Sequence, residues 1–106
     1  MNYSKGEVVL LPIPFSNLES AKVRPAVVIG QFSTTEDLIV VPITSKLVNT
    51  DFVLKAWKEA GLNIPSGIKG HIATIENRLV RKRVGNLTAP DLAALEQHLA
   101  AWLNLR

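Results

Sequence analysis

Lys22–Gln31 reads KVRPAVVIGQ, and the fold turns on how that stretch is read. From Pro25 to Gln31 it is continuous in Val, Ile and Ala, the mark of a strand buried on both faces. The pattern predicts a strand over 25–31 with Arg24 at its mouth. The proline that follows pushes Arg24 towards extended geometry. Arginine is costly to bury and well suited to holding phosphates, so Arg24 is either a solvated strand end or the working edge of a site.

Upstream, GEVVLLPIP (Gly6–Pro14) is an apolar run closed by Pro12 and Pro14. Proline donates nothing to a ladder, so this strand should fray or lie at an edge there. FSNLESAK (Phe15–Lys22) is polar and rich in small residues, and reads as a loop. Downstream, Thr34–Asp37 turns the chain into LIVVPI, a third strand over Leu38–Ile43 that ends at Thr44 and Ser45. A short strand is expected over Phe52–Leu54. KAWKEAGL then forms a helical turn capped by Gly61. Pro65–Gly67 is read as a turn, and His71–Ile75 and Leu79–Val84 as two further strands with Asn77 between them.

Thr88 precedes APDLAALEQHLAAWLNL, with Asp91 three residues on in a capping-box-like arrangement. Leu92, Leu95, Leu99 and Trp102 share one face of this closing helix. Strands followed by one helix predict a compact, β-rich α+β domain on a curled antiparallel sheet, a single domain over 1–106.

Composition narrows the function classes only a little. The chain is 47% hydrophobic and 20% charged, as ordinary soluble domains are, and has no apolar run long enough for a membrane span. No small-residue cleavage site follows the N-terminal run, so no signal peptide is expected. There is no cysteine, which excludes disulfides and thiolate-held metals. His71 and His98 lack a partner at metal-ligand spacing. The net charge of +3 suits a nucleic-acid or acidic partner, and equally an ordinary basic domain.

The candidate chemistry begins with Arg24 and the hydroxyls of Thr44 and Ser45. Such a strand-end pair is ordinarily a turn device. If it meets Arg24, cation and hydroxyls surround a phosphate-sized space and could stabilise charge at a phosphoryl centre. In the basic run RKR, Arg81 and Arg83 face one side of a strand and Lys82 the other. They are either a solvated face or contacts to a nucleic-acid backbone. His71 lies near substrate or is merely exposed, and His98, on the helix flank beside Leu95 and Trp102, is either packed or solvent-exposed. Phe15 and Trp57 either stack on bases or belong to satellite core. Glu7, Glu36 and Asp37 show no pairing suited to acid–base or metal chemistry, and no phosphate-cradling glycine motif is present.

Taken together, GEVVLLPIPFSNLESAKVRPAVVIG, VPITS and AGLNIPSGIKGHIATIENRLVRKRVGNLT, in that order, resemble the MazF/PemK toxins of toxin–antitoxin pairs. The resemblance implies an SH3-like antiparallel barrel with a C-terminal helix, shared with the CcdB toxins, and usually a homodimer. It implies growth inhibition by metal-independent, sequence-specific cleavage of single-stranded RNA in the cytoplasm, with no cofactor. Arg24 and Thr44 match the family's catalytic pair. Phe15, Ser16 and Lys22 on the covering loop, with Ser45, His71 and Arg81, would contact substrate. Several members carry a basic residue where this chain has Ala73, a departure that bears on base preference. The implied partner is an antitoxin with an acidic tail, the complex binding DNA. Two rival readings use the same barrel. One is a CcdB-like gyrase poison, though WLNLR lacks that family's terminal Trp-Gly-Ile; the other is a binding module without catalysis.

Overall fold

The structure, a computed structural model, is described over residues 2–13 and 22–105. Among the described residues seven strands precede one α-helix: β1 (Glu7–Ile13), β2 (Lys22–Gln31), β3 (Leu38–Thr44), β4 (Phe52–Val53), β5 (Gly67–Ile68), β6 (Ala73–Ile75), β7 (Lys82–Asn86) and α1 (Ala89–Trp102). The sheet runs β4-β5-β3-β2-β1-β7, and β6 pairs with β3. Every pairing is antiparallel. Among the described residues no ladder joins β7 to β4, so the expected curled α+β sheet is present but the barrel is not closed.

Two bulges bend the sheet. Register shifts between Val8 and Val9 against β7, leaving Val84 as the extra residue, and between Val28 and Gly30 against β3, leaving Ile29. Both faces of the central strands are buried, as the apolar run in β2 requires. Val8, Val27, Val41 and Ile43 pack with Leu54, Ala60, Ile68, Leu87 and Leu95 on the helix side. Val9, Leu11, Ile13, Ala26, Val28, Leu38 and Val40 form the opposite cluster, covered by Tyr3, Ala73, Ile75 and Val80. The predicted helix face is the one that packs: Leu95 is fully buried, and Leu92, Leu99 and Trp102 lie against the first cluster. Trp57 joins them as satellite core. His98 stacks on Phe52 with ring centroids 4.3 Å apart. Among the described residues no helix is long and apolar enough to cross a membrane.

Several boundaries differ from expectation. β2 begins at Lys22, so Arg24 is its third residue, paired with Leu11, rather than a residue outside the strand. β1 supplies the reason, because its ladder with β2 continues to Ile13↔Lys22. At Pro12 only β2 flanks β1, since pairing with β7 ends at Leu10, so the proline does occupy a local edge. Gly67 opens β5 instead of closing a turn; a side chain there would meet the Phe52 carbonyl oxygen at 2.8 Å. His71 precedes β6 rather than belonging to it, and Leu79 ends a 3₁₀ turn (Asn77–Leu79) that delays β7 to Lys82.

The helix start is built differently from a capping box. Thr88 is the N-cap residue but makes no side-chain cap hydrogen bond. Asp91, 2% exposed, accepts from the backbone N–H groups of Lys55 (3.0 Å) and Ala56 (2.9 Å) instead. The first turn of α1 thereby anchors the helical-turn segment 55–62, thirty-five residues away in sequence.

Candidate active site

Where the β2–β3 ladder ends, a cleft of about 450 Å³ opens. The last pair of that ladder is Ala26↔Pro42, and Arg24 and Thr44 each lie two residues beyond it on their strands. The two share a strand face, and both line the cleft together with Ser45. A second row crosses the sheet beside them: Lys82 pairs with Leu10, and Leu10 with Pro25, level with Ile43. All four line the same cleft, as does Val84, two residues on from Lys82.

The opposite wall is Gly61–Ile64 with Ser66. Two glycines let this segment lie directly on β7. Gly61 sits at φ +95° with its α-carbon against Val84, where a side chain would stand 2.5 Å from the Val84 carbonyl oxygen. A side chain on Gly85 would run into the carbonyl of Ala60. Ser66, buried, donates to the Ile64 carbonyl at 2.7 Å, and Leu54 N–H donates to the Ser66 carbonyl at 2.9 Å, closing the turn. Asp91 holds the residues that lead into this wall, Lys55 and Ala56, and the Gly61 and Leu62 N–H groups donate to the Lys58 and Trp57 carbonyls at its start.

Thr44 is a turn device that also lines the cleft. Its Oγ1 accepts from the Lys46 backbone N–H at 3.0 Å, so the hydroxyl proton remains to be donated outward. Arg24 and Lys82, both exposed, bring two cations to one cleft. The cleft therefore combines fixed positive charge with hydroxyl donors and an apolar lining of Leu10, Ile43, Leu62 and Ile64. Such a site suits a phosphate attached to an organic group.

The structure brings Arg24, Thr44 and Ser45 together, but not every predicted contact. Lys22 is exposed, two residues before Arg24 on the same strand. Arg81 is exposed, donates its backbone N–H to the Leu10 carbonyl (2.8 Å), and does not line the cleft. Arg83 is also outside the lining, over the Tyr3 ring at 4.2 Å and 3.2 Å from Glu7. His71 is exposed and outside the cleft lining. Phe15 and Ser16 lie outside the described residues. Lys82 and the wall 61–66 were not foreseen as site residues. Alternation along β7 does not reveal Lys82, because the bulge at Val84 interrupts the two-residue period. Nothing local to 61–66 reveals a wall, since its position depends on close backbone contact with β7.

No characterised protein matches the sequence. A family model does, over residues 4–103, nearly the whole chain and including every residue of the cleft. The chain belongs to the PemK-like, MazF-like toxins of type II toxin–antitoxin systems, and so is one partner of a pair whose other member is its antitoxin.

Proposed function

We propose that the protein is an endoribonuclease that cuts single-stranded RNA in this cleft. The observation that carries the reading is that Arg24 and Thr44, each two residues beyond the last β2–β3 pair, line one cleft. In the proposed reaction the ribose 2′-oxygen attacks the adjacent phosphorus as the bond to the 5′-oxygen breaks. The 2′ proton passes to solvent, and the departing 5′-oxygen takes up a proton from solvent, so that the step is proton-neutral. The products are a 2′,3′-cyclic phosphate and a 5′-hydroxyl end.

Arg24 stabilises the charge building on the phosphoryl oxygens and the leaving group; as a permanent cation it is an awkward general base. Thr44 donates its hydroxyl proton to a phosphoryl oxygen, oriented by the Lys46 N–H behind it. Ser45 offers a second donor beside it. An acidic antitoxin tail would compete with RNA for the same cations, which fits the net charge of +3. The family resemblance further suggests that the working form is a homodimer.

The test is incubation of long single-stranded RNA with the purified toxin in EDTA, mapping cut positions and end chemistry beside Arg24→Ala. Discrete cuts with cyclic-phosphate and 5′-hydroxyl ends, reduced about 10²–10³-fold in the variant, support the reading. Intact RNA with folded, antitoxin-free protein rejects it.

A further inference from the structure

The cleft is larger than one phosphodiester requires. At about 450 Å³ it lies in the range of pockets for whole organic ligands, roughly 300–1,000 Å³. Arg24, Thr44 and Ser45 account for one part of the lining. The rest of the lining includes Lys82, an apolar stretch of Leu10, Leu62, Ile64 and Val84, and the exposed amide of Asn63. Among the described residues the side chains of Asn63 and Lys82 have no hydrogen-bond or ion-pair partner. The backbone carrying Asn63 is nonetheless held firmly, by Gly61 against Val84 and by Ser66 on Ile64. An amide carried on fixed backbone beside an apolar surface, with a cation on the facing strand, matches a nucleotide. The apolar surface takes the base, the amide reads its edge, and the ammonium meets a phosphate.

Building on the ribonuclease reading, we propose that Asn63 and Lys82 form a subsite for a nucleotide flanking the cleaved bond. Asn63 selects the base, and Lys82 holds that nucleotide's phosphate. An amide has both donor and acceptor, so it discriminates between base edges. A lysine contact to phosphate is blind to sequence.

The two roles separate experimentally. The toxin, Asn63→Ala, Asn63→Asp and Lys82→Ala are compared on a single-stranded RNA library of random sequence by sequencing the cut ends. Their binding to a panel of uncleavable 2′-O-methyl RNAs, varied at each position beside the cut, is measured as a function of salt. Asn63→Ala is expected to flatten the preference at one position by roughly 5- to 150-fold, and Asn63→Asp to change which base is preferred there. Lys82→Ala should weaken every sequence alike and lower the slope of log affinity against log salt by about 0.7. Unchanged base preference in both Asn63 variants, or an unchanged salt slope in Lys82→Ala, overturns the subsite. Failure of the unmodified toxin to cut any RNA rejects the ribonuclease reading instead. The binding arm still decides the subsite in that case, and absence of RNA binding overturns it.

Discussion

Replacing Asp91 with alanine should unfold the domain far more readily than its place on a helix suggests. The carboxylate is 2% exposed and accepts two backbone N–H groups, from Lys55 at 3.0 Å and Ala56 at 2.9 Å. Hydrogen bonds to a charged group contribute about 1.5–3 kcal/mol each. Lys55 is exposed and Ala56 half-buried, so water recovers part of that loss once the carboxylate is gone. Asp91 also lies in the first turn of α1, where a negative charge adds about 0.3–1 kcal/mol. The sum is a destabilisation of roughly 3 kcal/mol, and at about 4–8 °C per kcal/mol the melting temperature falls by roughly 12–24 °C. Urea unfolding followed by tryptophan fluorescence measures it, because Trp57 sits in the anchored segment and Trp102 on the anchoring helix. Asp91→Asn should recover little, since its amide nitrogen faces one of the same donors. A loss below about 1 kcal/mol for Asp91→Ala would refute the assignment of Asp91 as the anchor.

Thr88→Ala should change stability by less than about 0.5 kcal/mol in the same titration, because Thr88 makes no side-chain cap bond; a loss near the usual ~1 kcal/mol would show a cap in solution. Gly85→Ala places a methyl group against the Ala60 carbonyl, which should cost roughly 1–3 kcal/mol and displace the 61–66 wall. RNA cleavage by that variant, assayed well below its melting temperature, should fall further than its folded fraction does. Arg24→Lys should fail to restore cleavage, since an ammonium lacks the planar fork that grips a phosphate, and near-normal rates would argue for a simple point charge. Thr44→Ser should keep most activity in single-turnover cleavage while Thr44→Val loses it. Equal rates for the two would remove the hydroxyl from the reaction.

The chain's local chemistry made much of the architecture legible. The β-branched runs of β1, β2 and β3 announce strands because alternation and apolar continuity are local properties, and the Leu92–Leu95–Leu99–Trp102 stripe announces a helix for the same reason. Arg24, Thr44 and Ser45 could be singled out because each stands at the end of such a run, and family resemblance paired them. Where an element is short, the local pattern is silent. β5 has two residues, and Gly67 there looks like a turn until Phe52 is known to lie beside it. Asp91 has the spacing of a capping box, and only the tertiary structure shows its carboxylate spent on Lys55 and Ala56.

By itself, then, the sequence determined the strand-rich α+β plan, the helix face and the identity of the cation and hydroxyls at the strand ends, all consequences of residue type and spacing. Only the tertiary structure decided that Lys82 rather than Arg81 lines the cleft and that 61–64 form its far wall. The physical reason is that these depend on a bulge at Val84 and on backbone contacts at Gly61 and Gly85, which arise between segments distant in the chain.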